Sequence, residues 1–362
     1  MVSTPRTTGP RQEPDRSPSG AGDAGSAAGA PRILGRLRGW GGVAATGLVC
    51  AVAAATTLVP LPRTHDGTAP DTRRATQHRP SGTDARPADT ATCKDPERSL
   101  RPSSADGPTI DRIQERGYLR AGVDQSSFRW GYLDPNKVDA DRPESFDPEG
   151  FDIELVHAIA DQILGRKNAK VVYRAIPTNK RVDALQQHDV DVVVRTMTIN
   201  CDRAKDVAFS TAYFRTGQQI LAPEHTDITG YDKSLRGKRV CAAKGATGLT
   251  QLKKKSYGAR IIQVPNQLDC LVRLQLGEAD AVATDGALAA GLAAQDPGVR
   301  LVGAPFSTEY YGVAMHKDAG DLVRRVNHIL EDYRRNGWQQ AYDHWLKPDL
   351  GPSDGPPAPM YR

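Results

Sequence analysis

The chain has 362 residues, of which 25% are charged and 38% hydrophobic, and its formal net charge is +5. Of its 48 basic and 43 acidic residues, 14 and 9 precede residue 106, so the rest of the chain balances at 34 of each. This balance, and the lack of a basic patch interleaved with aromatic residues, argues against nucleic-acid binding.

The first 105 residues predict three segments outside any folded domain. Residues 1–39 begin with a stretch rich in Pro, Gly, Ser, Thr and Arg, which predicts a disordered cytoplasmic tail. Residues 40–61 are uncharged and long enough to cross a bilayer, and the arginines before them favour a cytoplasmic N-terminus. Residues 62–105 have the composition of a solvated, disordered tether.

Three interpretations of residues 40–61 stay open. The small residues at 53–55 suit signal cleavage, although the preceding tail is longer than that of most secretory signals. Lipidation at Cys50 is a further alternative, but residues 47–49 match the required pattern poorly. We favour an uncleaved anchor or signal, and every alternative places the folded domain on the extracellular face of the cell membrane.

After Gly150 the pattern alternates between helix and strand. A helix that ends at Gly165 is followed by a strand at 170–176, a helix at 182–187 and a β-branched run at 192–194. This alternation predicts a parallel-dominated sheet flanked by helices. One face of the first helix is apolar and carries Phe151, Leu155, Ile159 and Ile163.

Polar side chains follow the strand at 192–194. Thr196 and Thr198 lie at its C-terminal end, where open α/β sheets place their ligands. Arg203 follows in a polar turn, and a guanidinium there can grip a carboxylate with two parallel hydrogen bonds. The alternative is a surface arginine in the first turn of a helix.

A second helix–turn–strand unit echoes the first. Residues 185–191 correspond to 274–280, and in each copy an Asp leads into an apolar strand. The second strand ends at Asp285. Such units are common, so the echo supports two similar halves without requiring them.

The C-terminal part predicts a terminal helical region and a tail. A helical stripe and the aromatic residues after it are interpreted as core, and residues 349–362, rich in Pro and Gly, as disordered. The core residues of this region are Leu322, Val326, Ile329, Leu330, Tyr333, Trp338, Tyr342 and Trp345.

Four cysteines remain besides Cys50, and an even number in an exported domain suggests disulfides with three possible connectivities. They are Cys93, Cys201, Cys241 and Cys270. None are spaced C-x-x-C, and no histidine lies at a ligand spacing from them, so we predict neither a metal site nor a cofactor.

Residues 196–200 (T-M-T-I-N), Arg203, the Phe-Ser pair at 209–210 and Tyr213 resemble the signature of family 3 bacterial extracellular solute-binding proteins, the amino-acid receptors of ABC importers. The signature reads G-M-T-I-T, x-x-R, Phe-Ser and Tyr. This chain departs from it with Thr196 for the glycine and Asn200 for the last threonine.

The resemblance extends over about residues 119–346. It includes the first strand at 119–123, the Gly-Phe-Asp opening at 150–155 and the L-x-G-K-x-V pattern at 235–240. Details at 195–198, 269–272 and 293–297 resemble the actinobacterial glutamate-type branch.

This resemblance implies a two-lobed periplasmic-binding-protein fold of type II with a two-strand hinge. Lobe 1 would comprise 106–214 and 308–348, and lobe 2 would comprise 215–307. Cys241 and Cys270 then both belong to lobe 2 and are the preferred pair. The other pair, Cys93 and Cys201, would tie the end of the tether beside the pocket.

The resemblance also implies the ligand contacts. Arg203 is the carboxylate clamp, assisted by Thr196, Thr198 and backbone amides near Thr247 at a helix start. Asp285 from the other lobe accepts the ammonium group. The alternatives are an N-cap role for Asp285 and a purely structural turn around Thr247.

Side-chain selectivity has several candidates. Thr178, Lys244 and Arg195 are placed to meet a second carboxylate or an amide, and a buried cation at Arg195 would favour acidic ligands. The alternative for Arg195 is a structural ion pair at the lobe surface. Phe128, or Trp130, would cover the aliphatic stem, and residues 131–149 form an inserted loop of unassigned role.

We therefore expect a non-enzymatic, monomeric receptor, tethered to the membrane through residues 40–61. It would bind glutamate, aspartate, glutamine or asparagine and dock on an ABC permease. One alternative is a sensor domain that reports amino-acid occupancy to a membrane signalling partner. An enzyme on this scaffold lacks an evident general acid or base in the cleft.

Overall fold

The computed structural model describes residues 93–137 and 147–362. The predicted tail at 1–39, the apolar segment at 40–61, the first part of the tether and the middle of the 131–149 loop lie outside these residues. Among the described helices, none is both long and apolar enough to cross a membrane.

Strands of the described residues fall into two five-stranded sheets and two short ribbons. In chain order they are β1 (Leu119–Val123), β2 (Ser126–Ser127), β3 (Gly131–Tyr132), β4 (Val171–Ala175), β5 (Val192–Val193), β6 (Val207–Phe209), β7 (Phe214–Thr216), β8 (Gln218–Pro223), β9 (Arg239–Ala243), β10 (Arg260–Val264), β11 (Ala281–Asp285), β12 (Val299–Val302), β13 (Glu309–Tyr311) and β14 (Ala314–His316).

Helices alternate with these strands along the chain. They are α1 (Pro108–Arg116), α2 (Phe151–Leu164), α3 (Arg181–Gln186), α4 (Cys201–Asp206), α5 (Thr247–Lys254), α6 (Gln267–Gln275), α7 (Gly286–Ala293), α8 (Gly320–Asn336), α9 (Trp338–Ala341) and α10 (Lys347–Leu350). As predicted, the apolar face of α2 is buried, and the helix ends at Gly165, which adopts φ +64°.

Each lobe is built on one mixed sheet. Lobe 1 has the order β4-β1-β5-β14-β6 and lobe 2 the order β10-β9-β11-β8-β12. In each sheet two pairings are parallel and two are antiparallel, because β14 and β8 enter from the hinge against the direction of their neighbours. The two-lobed fold is therefore confirmed, whereas the parallel-dominated description is wrong for half of each sheet.

Two chain crossings join the lobes. β7 and β13 pair antiparallel, with Phe214 opposite Tyr311 and Thr216 opposite Glu309. Trp130, Phe151, Phe214 and Trp338 pack edge-on or stacked beside this ribbon, so the hinge is seated on the aromatic core of lobe 1.

Both preferred disulfides are present. Cys241 of β9 is bonded to Cys270 of α6 within lobe 2. Cys93 is bonded to Cys201, the first residue of α4. The second bond holds the start of the described chain against the helix that carries Arg203.

Two segments predicted as disordered differ from that expectation. Residues 93–105, the end of the tether, pack on lobe 1 through Ser99, whose Oγ donates to the carbonyl of Phe209 (2.7 Å). Residues 351–362, hereafter the C-terminal segment, pair with the same residue, because Ser99 N donates to Met360 O and Arg362 N to Ser99 O. The prolines in both segments disfavour continuous helix, but they leave single extended pairings possible.

Candidate functional site

Arg203 points from lobe 1 into the contact between the lobes. Asn200 caps α4 by accepting a hydrogen bond from Arg203 N (2.9 Å), so the arginine lies in the first turn of the helix, just after the 195–199 loop. Its Nη1 donates to Thr198 O (2.6 Å), and its Nη2 donates across the cleft to Gly245 O of lobe 2 (2.8 Å). Three of its five N–H donors therefore remain for a ligand.

A second cleft cation, Arg181, was missed by the sequence analysis. It is buried and donates through Nε to Thr178 O (2.9 Å), through Nη1 to Arg195 O (3.1 Å) and through Nη2 to Gly245 O (3.4 Å). Burial and the positive charge of Arg203 lower its pKa. Its position three residues after Thr178, which was considered as a ligand contact, is the signal that could have identified it.

Among the residues that the structure describes, neither cleft arginine has an acidic partner at ion-pair distance. Among the described residues, no carboxylate oxygen lies within 4.0 Å of the guanidinium of Arg181 or Arg203. A buried cation without an anionic partner is costly. The arrangement therefore suits a ligand that brings a negative charge between the lobes.

Asp285 faces these arginines from the end of β11 in lobe 2. Its pKa is raised to about 7: burial is the largest cause, the neighbouring carboxylate of Glu309 adds to the rise, and Tyr311, Arg203 and Arg181 oppose it. These mutual effects place the carboxylate within electrostatic reach of the cleft cations. Asp285 occupies the N-cap position of α7, but its side chain makes no capping hydrogen bond to that helix.

Gln218 connects Asp285 to Thr247. Its Nε2 donates to Asp285 Oδ1 and to Thr247 Oγ1 (2.8 Å). Gly248, at the start of α5, leaves room for this side chain, because a Cβ there would lie 2.6 Å from Gln218 Oε1. Gln218 Oε1 itself is buried and accepts no hydrogen bond from a described residue.

The charges are separated within the site. Arg181 and Arg203 supply two positive groups, and Asp285 and the buried Glu309 supply two carboxyl groups. A molecule with an anionic group and an ammonium group on one carbon can satisfy both sides at once. The geometry is therefore complementary to a zwitterion.

The two threonines after β5 are buried at the site. Thr196 N donates to Asp152 Oδ2 (2.8 Å), and Thr198 forms a β-bridge with Tyr311 of the hinge. Both are 5% exposed. They position the loop beside the arginines.

Arg195 forms a buried ion pair and is not a free ligand cation in this structure. Its Nη2 lies 2.8 Å from Asp124 Oδ2, and both side chains are almost fully buried. It also donates to Thr178 Oγ1 (3.0 Å) and, across the cleft, to Asn266 Oδ1 (3.1 Å). The structural ion-pair alternative therefore describes it, although the pair lies between the lobes and not at a lobe surface.

The remaining candidates lie at the edge of the cleft or outside it. The backbone of Phe128 lies against Gly291 of α7, and its ring contacts Tyr132 with 5.1 Å between centroids. Trp130 is a core residue whose Nε1 donates to Ala287 O (3.3 Å), so it is not a ligand wall. Lys244 is exposed, and no contact joins its side chain to the charged residues of the site.

The comparisons with known proteins agree with this geometry. Residues 119–348 match the family model of bacterial extracellular solute-binding proteins, family 3. The chain belongs to this family. This membership confirms the expected family and the expectation of a non-enzymatic binding protein.

Individual relatives differ in the ligands that their names state. The ABC transporter glutamine-binding protein of Bacillus subtilis (strain 168) is 33% identical over 242 residues, which cover 67% of this chain and 85% of the relative. The glutamate-binding protein of Corynebacterium efficiens is 28% identical over 212 residues, 56% of this chain and 71% of the relative. The structure of an ancestral arginine-binding protein bound to glutamine is 34% identical, with a TM-score of 0.58, and covers 64% of this chain and 99% of that chain.

Proposed function

We propose that this protein is the extracellular amino-acid-binding component of an ABC importer. It captures a polar or acidic amino acid (glutamate, aspartate, glutamine or asparagine) between two closing lobes and delivers it to a membrane permease. In this proposal Arg203, Thr196, Thr198 and Thr247 bind the α-carboxylate, and Asp285 accepts the ammonium group.

One observation supports the proposal: Arg203 of lobe 1 donates across the cleft to Gly245 O (2.8 Å), two residues before Thr247, and Gln218 Nε2 joins Thr247 Oγ1 to the buried Asp285 of lobe 2. Closure brings both half-sites to a single ligand, so binding shifts the equilibrium toward the closed form. The names of the relatives, which mention glutamine and glutamate, support the ligand class.

Arg181 is the residue that favours an acidic side chain in this proposal. It is a second cation without a carboxylate at ion-pair distance among the described residues, so a γ-carboxylate can neutralise it. This role replaces the one that the sequence analysis gave to Arg195. The glutamate-type assignment of the chain is proposed on the same ground.

Calorimetry of the full chain against Glu, Asp, Gln and Asn tests the proposal. We expect at least one Kd in the micromolar range, a binding free energy of about 8 kcal/mol. Arg203→Ala should weaken that binding at least 100-fold, because the carboxylate loses its main partner.

Lys205→Ala is the matched control, since Lys205 lies in the same helix, is exposed and pairs with the exposed Asp202. It should bind as the wild type does. Wild-type protein that binds none of the four amino acids, or an Arg203→Ala variant with unchanged affinity, would contradict the proposed function.

A further inference from the structure

The turn at Thr196 carries the backbone groups that hold both cleft arginines. On one side of it, Arg195 O accepts from Arg181 Nη1 (3.1 Å), and on the other, Thr198 O accepts from Arg203 Nη1 (2.6 Å). The directions of these carbonyls depend on the backbone between them. The turn therefore sets where the two guanidinium groups lie.

Thr196 adopts a conformation that its own side chain disfavours. Its φ is +43°, in the left-handed region, where a β-branched residue is a true outlier. The signature that this segment resembles has a glycine at this position, which would adopt the same φ without a steric penalty. In this chain a neighbouring group must hold the turn.

Asp152 supplies that group from the first turn of α2. It is 2% exposed, and its Oδ2 accepts from Thr196 N (2.8 Å). Its Oδ1 accepts from the hydroxyl of Tyr213 (2.8 Å), which fixes the orientation of the carboxyl group. Both oxygens are therefore used in directed bonds.

Tyr213 connects this carboxyl group to the hinge. It directly precedes β7, its N donates to Tyr311 O in β13 (2.8 Å), and its carbonyl accepts from Trp338 Nε1 (2.8 Å). The hydroxyl is held in place because the residue itself is fully buried. A continuous set of hydrogen bonds thus runs from the hinge through Asp152 to the turn.

We propose that Asp152 is a positioning residue for the amino-acid site: it holds Thr196 in the left-handed turn and thereby places Arg181 and Arg203. The inference rests on the proposed function, because its readout is amino-acid affinity. It assigns Asp152 no contact with the ligand.

The rival explanation is that Asp152 only stabilises the fold, as an acidic residue in the first turn of α2. The two explanations differ in their dependence on residue 196. If Asp152 compensates for Thr196, a glycine at that position removes the need for it. If it only stabilises α2, its effect is the same with either residue.

The test is a double-mutant cycle on the full chain, with L-glutamate and L-glutamine as calorimetric probes and urea unfolding as the check of folding. Asp152→Ala should weaken binding at least tenfold. In the Thr196→Gly background the same substitution should cost less than threefold. Asp152→Asn should stay within threefold of wild type, since its oxygen can accept from Thr196 N and its amide can donate to Tyr213.

Each outcome decides the inference. Unchanged affinity of Asp152→Ala, or an equal loss in both backgrounds, overturns it while leaving the proposed function intact. A wild type that binds no amino acid overturns the proposed function first. If Asp152→Ala does not fold, Asp152→Ser takes its place with the same expectations. Failure of both to fold even with Thr196→Gly also overturns the inference, because strain at residue 196 is then not what Asp152 offsets.

Discussion

Asp285 carries a carboxyl group whose ionisation is unfavourable without a ligand. Burial, the largest cause, and the charge of Glu309 raise its pKa to about 7. A bound ammonium group favours the ionised form and lowers that pKa. Amino-acid binding should therefore be coupled to the release of a proton from Asp285 at pH values below about 7.

The affinity of the wild type should accordingly rise with pH up to about 7, by at most about tenfold per pH unit. Asp285→Asn should bind more weakly and flatten this profile. Calorimetry between about pH 5.5 and pH 8, on either side of the pKa of Asp285, measures the affinity profiles of the wild type and the variant. Asp152, whose pKa burial also raises to about 7, is present in both proteins, so the difference between the profiles isolates Asp285.

The exposed Asp227→Asn is the matched control and should leave the affinity profile unchanged.

The stability of the ligand-free protein should respond to pH in the opposite sense. Because the pKa of Asp285 is higher in the folded chain, its contribution is complete below the unfolded value of 3.8 and is lost as pH rises to about 7. Above pH 7, Asp285→Asn should raise the free energy of unfolding, by about 4 kcal/mol at most. An Asn variant that is less stable there would contradict the cost assigned to this carboxylate.

Arg195 is predicted to contribute to stability and not to ligand binding, because Asp124 already neutralises its charge. Arg195→Met leaves Asp124 buried without its cation and should lower the free energy of unfolding by about 3–5 kcal/mol. Adding Asp124→Asn, which removes the charge but keeps hydrogen-bond acceptors, should recover part of that loss. Urea unfolding measures both proteins. A stable Arg195→Met variant with altered glutamate preference would restore the ligand role.

At the scale of elements, patterns local in sequence were predicted well. The buried face of α2 and its end at Gly165 lie where expected, because both depend on nearby residues. The direction of the strands was not predicted, because β14 pairs with β5 and β6 but follows lobe 2 in the chain. Arg181 was missed for a similar reason: its partners Arg195 and Gly245 are distant in sequence.

The disulfide between Cys93 and Cys201 joins residues 108 positions apart and anchors the N-terminal segment to α4. Replacing both cysteines by alanine should lower the free energy of unfolding by about 2–4 kcal/mol, since the unfolded chain gains freedom. Urea unfolding measures the loss. The matched control replaces two exposed residues, Ser104 and Thr250, by alanine. This double substitution should change the free energy of unfolding by less than about 0.5 kcal/mol.

Unchanged stability of the Cys93→Ala/Cys201→Ala protein would mean that the hydrogen bonds of Ser99 alone hold the segment. Those bonds remain in the variant, because Ser99 also accepts from Asn327 Nδ2 (2.8 Å). The experiment therefore separates the covalent contribution from the packing of residues 93–105.

At the scale of the whole molecule, direct hydrogen bonds hold the two lobes in contact. Hydrogen bonds cross the cleft from Arg181 and Arg203 to Gly245, and from Arg195 to Asn266. The described chain is therefore in a closed arrangement. Its closure relies on the same arginines that the proposed ligand would engage.

The C-terminal segment adds a contact on the side of the hinge. Residues 352–357 line a cavity of about 510 Å³ together with Thr216 of the hinge and Gln219 and Leu301 of lobe 2. Its end is bound to lobe 1 through Tyr361, whose hydroxyl donates to Glu331 (3.0 Å). The segment therefore runs beside both lobes.

Deleting residues 351–362 removes this hydroxyl bond, the two backbone bonds to Ser99, and the bonds that Arg98 Nη1 donates to Tyr361 O (3.3 Å) and Tyr342 OH donates to Gly351 O (3.0 Å). We expect the free energy of unfolding to fall by about 5 kcal/mol, at about 1 kcal/mol for each bond. Tyr361→Phe, the matched control, should cost only about 1 kcal/mol. Urea unfolding of both proteins is the measurement, and a truncated chain as stable as the wild type would contradict the role given to the segment.

The position of β14 has a consequence for the order of assembly during export. This strand lies inside the sheet of lobe 1, between β5 and β6, yet it leaves the translocation channel only after all of lobe 2. Lobe 2 is one continuous stretch with its own disulfide and can fold as soon as it emerges. Lobe 1, whose first residues emerge before those of lobe 2, is thus completed last. Its sheet lacks the strand between β5 and β6 until residues 314–316 have emerged.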